Sequence, residues 1–351
     1  MGAVRFALLG VGDVAQRDYL PEFHRLGERA EIVAACGRSA ERVRSVAESC
    51  GIPLWYTDYE RMLGEADADA VINLTPIQLH AETNLACLEA GKHVYSEKPL
   101  AATRAEAQRL QEEAERRGLT IVCAPCVALF PQVVAARTLV EAGAVGRICA
   151  ARAVGHMGVP PWEGFQSDPT PYFAPGAGPA LDIGVYPLHT LTHLLGPVQR
   201  VTAMVGKVMD EFTIREGPYA GKRVPVETPD NWQLVLDFGG GTLATVSADS
   251  CVAGTLAPEV ELYGLRGTIA LEPLDVSQPV RVLRTGGWEE VPRARTGRES
   301  GPDHHLGVEH LVDCLEHGVQ PVLSAARAVH VLDVIEQAER SSREGRTMEV
   351  R

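Results

Sequence analysis

The chain has 351 residues, with 46 acidic against 33 basic side chains, a formal charge of −13, 45% hydrophobic residues and 23% charged ones. That composition is ordinary for a globular protein of two domains, and an acidic balance without a basic run argues against nucleic acid or an anionic membrane surface as a partner. No apolar run approaches the ~20 residues of a membrane-spanning helix, the start carries no signal-peptide pattern, and the cysteines sit mostly in apolar surroundings, as packed thiols of a reducing cytoplasm do.

The run from Val4 to Leu9 is nearly all apolar, as a central strand of a parallel sheet is. Gly10-Val11-Gly12-Asp13-Val14-Ala15 follows at once, a G-x-G-x-x-A dinucleotide fingerprint. In that pattern Gly10 makes the tight turn and Gly12 lets backbone approach a pyrophosphate. Asp13 and Val14 open a helix whose N-terminus faces the phosphates, and Ala15 packs it on the strand. The next strand, Glu31 to Cys36, runs into Gly37-Arg38-Ser39, without the carboxylate that would bind a ribose 2′-hydroxyl. Arg38 and Ser39 suit a 2′-phosphate instead, so the cofactor expected is NADP(H), with NAD(H) second.

A helix over 40–49 stops at Gly51, and another starts from the N-cap Asp58. The strand from Ala68 to Leu74 ends in Thr75-Pro76, with His80 in the helix beyond. These three residues belong to the same carboxyl rim as Gly12. His93 to Ser96 forms the next strand, which stops in Glu97-Lys98-Pro99 because proline has no N–H to continue a central ladder. Lys98 is thereby left, beside Glu97, on the rim where open α/β sheets bind ligands. There it can hold a substrate oxygen and offset negative charge developing on it. The sharp turn points to a cis bond at Lys98-Pro99. Thr103 to Glu106 reads as a capping box, and Leu119 to Cys123 as a further strand. Cys123-Ala-Pro-Cys126 has redox spacing, but no other thioredoxin-like signal accompanies it, so it reads as packing. Strand and helix alternate throughout residues 1–125, the pattern of a doubly wound parallel sheet.

From Pro131 the pattern changes. A helix stops at Gly143, and strand-like runs follow over 147–155, 201–208, 231–238, 242–250, 259–263 and 268–271 with few helices between them. Residues 126–351 therefore read as an α+β domain with a large, mostly antiparallel sheet. The polar stretch 286–302 reads as a loop, and helices over 303–316 and 324–344 close the chain. His305 and His310 lack the i, i+4 spacing of a helical metal site, and no metal is expected. Asp182, Tyr186, His189 and His193 are spaced i, i+4, i+7, i+11 and share one helix face, while leucines take the others. Titratable groups on an otherwise buried helix suit a polar cavity where protons are transferred. His193, a turn further on, reads as structural. Trp162, Phe165, Tyr172 and Phe173 read equally as an aromatic cover for that cavity or as a satellite core.

Together, Gly10-x-Gly12-x-x-Ala15, Thr75-Pro76 with His80, Glu97-Lys98-Pro99 and Asp182-Ile-Gly184-Val-Tyr186 resemble the Gfo/Idh/MocA oxidoreductases, in that family's order and over almost the whole chain. The resemblance implies a Rossmann domain followed by an open-sheet domain that binds substrate and makes homo-oligomer contacts. It also implies hydride transfer between nicotinamide and a carbinol or carbonyl carbon of a sugar, a sugar derivative or a cyclic polyol. The Asp-x-Gly-x-Tyr form is similar to the branch with glucose–fructose oxidoreductase, xylose dehydrogenase and dimeric dihydrodiol dehydrogenase, which often uses NADP. On this footing Tyr186 exchanges the hydroxyl proton, and the Lys98 ammonium eases its loss and stabilises the alkoxide. Asp182 and His189 orient neighbouring hydroxyls, or His189 relays the proton. The family's Arg–aromatic pair is not matched by Cys126-Val-Ala-Leu-Phe130-Pro131, which leaves the substrate class open. The rival readings are a redox-neutral NAD-dependent glycosidase of the same fold and a non-catalytic cofactor-binding protein.

Overall fold

The computed structural model describes residues 2–162 and 164–351; Met1 and Glu163, which fall in the N-terminal and aromatic-loop readings, lie outside the described residues. The chain divides into two compact units, Met1–Cys126 with His304–Val329, and Val127–Asp303 with His330–Arg351.

The first unit contains β1 (Val4–Leu9), β2 (Ala30–Cys36), α1 (Ala40–Cys50), β3 (Leu54–Tyr56), α2 (Tyr59–Glu65), β4 (Ala70–Asn73), α3 (His80–Glu89), β5 (His93–Ser96), α4 (Arg104–Arg117) and β6 (Ile121–Cys123). Its sheet has the order β3-β2-β1-β4-β5-β6, with every pair parallel. Strand order reverses between β1 and β4, and in such sheets the crevice outside the carboxyl ends at that point receives the ligand. Local signals set the helix limits. Ser39 caps α1 and Gly51 ends it in the left-handed conformation. Thr103 and Glu106 form the capping box of α4, which Gly118 ends in the same way. The helix after the fingerprint is short, spanning 13–19, and its last turn, Ala15–Tyr19, is wound as a π-helix. Pro21 cannot donate the next helical hydrogen bond, which limits its length.

The second unit opens with α5 (Pro131–Glu141), β7 (Ile148–His156), α6 (Pro179–Asp182) and α7 (Val185–Leu195). It continues with β8 (Arg200–Gly206), β9 (Glu211–Thr213), β10 (Arg223–Pro225), β11 (Asn231–Asp237), β12 (Leu243–Asp249), β13 (Val260–Gly264), β14 (Gly267–Leu271), β15 (Val280–Arg284) and β16 (Gly287–Val291). Helix α8 (His305–His317) lies in the first unit; α9 (Ala325–Glu344) and β17 (Met348–Glu349) complete the chain. The large sheet has the order β16-β15-β14-β13-β7-β12-β11-β8-β17. Only the β7–β12 pair in it is parallel, among the described residues. Burial alternates along β11, where Trp232, Leu234 and Leu236 are buried while Val235 stays exposed, so one face is core and the other open. Several strands depart from the sequence reading, which did not identify β3, β15 or β17. Residues 287–291, read as loop, form β16, an edge strand paired only with β15. Its side chains are nearly all exposed, so the period-two burial signal is missing. The hairpin β9–β10 stands apart as a two-stranded sheet.

Among the described residues no helix is long and apolar enough to cross a membrane.

Candidate active site

The fingerprint loop is built as its glycines require. Gly10 has φ +99°, and a Cβ there would come 2.6 Å from the Leu74 carbonyl oxygen, so no side chain fits. At Gly12 an added Cβ would meet nothing within 4 Å, so this backbone borders open space at the carboxyl end of β1. The loop rests on the turn after β2: Gly10 N–H donates to Cys36 O at 2.9 Å, and a Cβ on Gly37 would lie 2.7 Å from Val11 Cγ2. Arg38 and Ser39 follow that turn and are both exposed. Ser39 Oγ accepts the Arg42 N–H at 3.3 Å as the cap of α1 and keeps its own proton to donate. Backbone open to close approach at Gly12, with a cation and a hydroxyl beyond β2, fits a dinucleotide. Asp13 and Val14 lie in the first turn of the short helix.

Around β4 and β5 the rim is held by buried polar groups. Asn73 Oδ1 accepts from Thr75 N–H (3.2 Å) and Thr75 Oγ1 (2.8 Å). Asn73 Nδ2 donates to Thr83 Oγ1 (2.8 Å) and Asn84 Oδ1 (2.7 Å). Asn84 Nδ2 in turn donates to Ser96 Oγ (2.9 Å) and Leu100 O (3.2 Å). His80, read from sequence as a rim residue, is buried. Its Nδ1 lies 2.6 Å from Pro99 O and its Nε2 2.7 Å from Thr75 O, so the ring sits between the Thr75-Pro76 turn and the Glu-Lys-Pro corner, donating to one carbonyl when neutral and to both when protonated. Burial pulls this imidazole below its ordinary range, against the pull of the two carbonyls. Lys98-Pro99 is cis, as the sharp turn requires, and Lys98 is half-buried. Glu97 is buried; its Oε1 accepts the Tyr19 hydroxyl at 2.5 Å and its Oε2 the Lys98 N–H at 2.9 Å. Sequence reading passed over Tyr19, Tyr95, Asn73, Thr83 and Asn84. The available signal was an asparagine ending an otherwise apolar strand, followed by two polar residues on the buried side of α3.

In the second unit the polar run is carried by two helices rather than one. α6 ends at Asp182 and α7 starts at Val185, with Pro187 unable to bond back to Ile183. Glycines let the break lie on the sheet. A Cβ on Gly184 would come 2.7 Å from Ala248 Cβ, and one on Gly155 would come 2.8 Å from Ile183 O. Asp182 and His189 are buried, Tyr186 and His193 half-buried, as a helix enclosed on most sides requires. The His193 carbonyl accepts from Arg137 at 2.8 Å.

The aromatic loop resolves as a core. Trp162 stacks on Phe173 (centroids 6.3 Å apart) and meets Phe165 and Tyr172 edge-on. Phe173 packs on Phe212 and, with Ile214, Val224 and Val226 around the β9–β10 hairpin, builds a small cluster. Lys222 joins Asp168 at 2.5 Å across it. Of the C-terminal histidines, His310 Nε2 accepts the Val322 N–H at 2.9 Å. Asp313 and Glu316, which approach His317, are engaged by Arg29 at 2.5 and 2.6 Å. Both thiols of Cys123-Ala-Pro-Cys126 are buried and not joined in a disulfide; Cys123 Sγ donates to Ala124 O at 3.0 Å and Cys126 Sγ to His304 O at 3.7 Å, and burial pushes Cys123 up.

The structure thus gathers Gly10, Gly12, Arg38, Ser39, Thr75, Pro76 and Lys98 on the carboxyl side of one parallel sheet, and it places Tyr186 and His189 on α7, with Asp182 at the end of α6 just before it. Residues 4–124 match the family described as "Oxidoreductase family, NAD-binding Rossmann fold", and residues 133–270 the "GFO/IDH/MocA C-terminal domain". The chain is 37% identical over 238 residues to a dTDP-3,4-didehydro-2,6-dideoxy-alpha-D-glucose 3-reductase of Streptomyces violaceoruber, covering 68% of this chain and 67% of the relative. It is 24% identical to a trans-1,2-dihydrobenzene-1,2-diol dehydrogenase of Bos taurus over 89% of this chain and 88% of the other. The structure of an aldose-aldose oxidoreductase from Caulobacter crescentus complexed with glycerol superposes with a TM-score of 0.83, at 24% identity, over 99% of this chain and 100% of that one. Fold, fingerprint and these matches agree: the chain is an oxidoreductase of the Gfo/Idh/MocA family, with an NAD-binding Rossmann domain at its N-terminal end.

Proposed function

We propose that this oxidoreductase transfers a hydride between a nicotinamide dinucleotide, NADP(H) in preference to NAD(H), and a carbinol or carbonyl carbon of a sugar, a sugar derivative or a cyclic polyol. The observation that carries the reading is the Glu97-Lys98-Pro99 corner at the end of β5, on the same sheet edge as Gly12 and Thr75. A dinucleotide held along that edge supplies the carbon that gives or takes the hydride. Gly10, Gly12, Asp13 and Val14 receive its phosphates, Thr75 and Pro76 flank it, and Arg38 with Ser39 binds a 2′-phosphate. Lys98 holds the substrate oxygen and offsets its negative charge. Tyr186 exchanges the hydroxyl proton, and Asp182 and His189 orient the neighbouring hydroxyls. The names of the Streptomyces and bovine relatives, a sugar 3-reductase and a diol dehydrogenase, support the substrate class. The open face of the large sheet exposes Met204, Val235 and Leu243, which supports a homo-oligomer through that face.

The test is a panel of sugars, sugar acids and cyclic diols, each with NADP+ and NAD+, followed by nicotinamide absorbance. Net reduction with at least one substrate is expected, faster with NADP+; sugar cleavage without net reduction would point to the redox-neutral glycosidase. With a substrate found, Lys98→Met and Tyr186→Phe should each keep dinucleotide binding and lose most of kcat. The double variant should be little worse than the poorer single, since the two act as a unit. Unchanged kcat in Tyr186→Phe with its loss in His189→Ala would move the proton role to His189. Unchanged turnover in all of them would overturn the assignment.

A further inference from the structure

We infer that Tyr19 is a positioning residue for the catalytic corner: its phenol holds the Glu97 carboxylate and, through it, the backbone from which Lys98 projects. The inference rests on the catalytic reading of Lys98 given above. A carboxylate is costly to bury unless its oxygens are hydrogen-bonded, and Glu97 is only 8% exposed. It is held at both ends. Oε1 accepts from Tyr19 at 2.5 Å, and Oε2 folds back to accept the N–H of the next residue, Lys98, at 2.9 Å. The second bond fixes the peptide at the corner and so the direction in which the Lys98 side chain leaves it.

Proton count orders the rest. Tyr19 has one hydroxyl proton, and an ionised carboxylate can only accept it. The Tyr95 hydroxyl, 2.9 Å from that of Tyr19, must therefore be the donor of their mutual bond. The chain runs Tyr95 to Tyr19 to Glu97 and ends beside Lys98. Burial, then the charge of Glu97, pushes the Tyr19 phenol well above its ordinary range, which keeps it a donor. The surroundings are shaped to this arrangement. A Cβ on Gly307 of α8 would lie 2.6 Å from the Tyr95 hydroxyl, so glycine makes room for it. His304 stacks on the Tyr19 ring at 6.1 Å between centroids. Tyr19 itself closes the π-wound turn Ala15–Tyr19, and such turns recur at functional positions. Stability alone does not call for this arrangement, because well-packed apolar side chains of similar volume stabilise a core at least as well as buried ionic groups. A carboxylate fastened next to the residue that must point at substrate has a use that an apolar filling lacks.

The experiment uses the full chain, a substrate from the panel above and its deuterated form. Tyr19→Phe leaves a buried carboxylate oxygen without its donor and so should lower thermal stability, while the protein stays folded and keeps its NADPH dissociation constant to within about three-fold, and kcat falls about ten-fold or more, since small misplacement of a catalytic group costs that much. The primary isotope effect on kcat should rise, because hydride transfer becomes the slow step. Tyr95→Phe, which leaves the Tyr19–Glu97 bond in place, should lose less kcat than Tyr19→Phe. In a Lys98→Met background, Tyr19→Phe should cost nothing further. Wild-type kcat in Tyr19→Phe while Lys98→Met is inactive would overturn the inference and leave the catalytic reading standing. Near-normal kcat in Lys98→Met would overturn the catalytic reading itself. Loss of stability and dinucleotide affinity together, with an unchanged isotope effect, would make Tyr19 merely structural and overturn the inference.

Discussion

Glu259→Gln should make the protein more stable above neutral pH and leave it unchanged in mild acid. Glu259 immediately precedes β13, and Glu272 immediately follows the strand paired with it. Glu259 N–H donates to Glu272 Oε2 at 2.9 Å, and Glu259 Oε2 accepts from Leu274 N–H at 3.0 Å. Burial, and then the nearby charges of Glu272 and Asp275, push the Glu259 carboxyl up to about 7 from its ordinary 4.5, against the Leu274 bond. A raised carboxyl binds its proton more tightly folded than unfolded. This group's contribution therefore declines as pH rises from about 4.5 to about 7, by up to roughly 3 kcal/mol at 1.36 kcal/mol per pH unit. The side chain keeps some contact with solvent, so roughly 2 kcal/mol is the expected figure. Glutamine retains an oxygen for Leu274 and never ionises. Urea unfolding of both proteins from pH 4 to pH 8 is the assay, with the gain at pH 8 about 2 kcal/mol and near zero at pH 4. Parallel stability curves across that range would refute the reasoning.

Three further outcomes follow from single positions. Arg38→Ala should weaken NADPH binding at least about ten-fold more than NADH binding, because only NADPH carries the 2′-phosphate; equal losses in the two dissociation constants would remove the NADP preference. Gly10→Ala should abolish dinucleotide binding and lower stability by about 2 kcal/mol or more, since a side chain at φ +99° meets the Leu74 carbonyl at 2.6 Å; calorimetric titration and denaturation read both. Gly184→Ala has an ordinary backbone conformation, so its cost, about 1–3 kcal/mol, comes from contact with Ala248 Cβ and Ala180 O alone. Wild-type stability in that variant would show that α7 can retreat from the sheet.

The parts of this chain that could be read in advance are those whose signal is local. β1, β4 and β5 lie inside a parallel sheet and are almost uniformly buried, so β1 and β4 show as largely apolar runs ending at the rim and β5 as a short run closed by Glu97-Lys98-Pro99. Gly10, Thr103 and Gly118 announce a turn, a cap and a stop through their own conformational chemistry. What escaped depends on partners distant in sequence. β16 is a strand because β15 pairs with it, although four of its five residues are exposed and nothing in them alternates. Trp162 and Phe173 offered equal support for a cover and a core until Phe212, Ile214, Val224 and Val226 arrived from the hairpin to enclose Phe173. His80 stands at the helix start that the sequence indicated. Its ring nevertheless turns inward, because carbonyls from two separate turns, at Thr75 and Pro99, converge on it. Tyr19 had no signature, since its meaning lies in a carboxylate 78 residues away.

The two units hold their candidate residues by different physics, and the difference matches what the proposed function asks of each residue. On the Rossmann rim the chain leaves each strand through a turn whose direction matters. Asn73, Thr83, Asn84 and Ser96 form a connected buried network that links β4, α3 and β5 to those turns. Hydrogen bonds are directional, and a fully satisfied buried network admits few alternative geometries, so it fixes the angle at which Thr75 and the Glu97–Pro99 corner emerge. Close packing of apolar groups fixes volume and leaves rotation freer. In the second unit the variable to be set is distance. Gly155 and Gly184 bring the Ile183–Gly184 break into backbone contact with β7 and against Ala248 of β12, and any larger residue at either position pushes it outward. Tyr186 and His189 then keep their mutual spacing through the repeat of α7, and Asp182 ends α6 on the other side of the break, so the depth of the break sets the depth of both helix ends. A candidate cofactor rim that would have to present turns in fixed directions, and a candidate proton-handling helix that would have to lie at a fixed depth, are met by a polar network in one unit and paired glycines in the other.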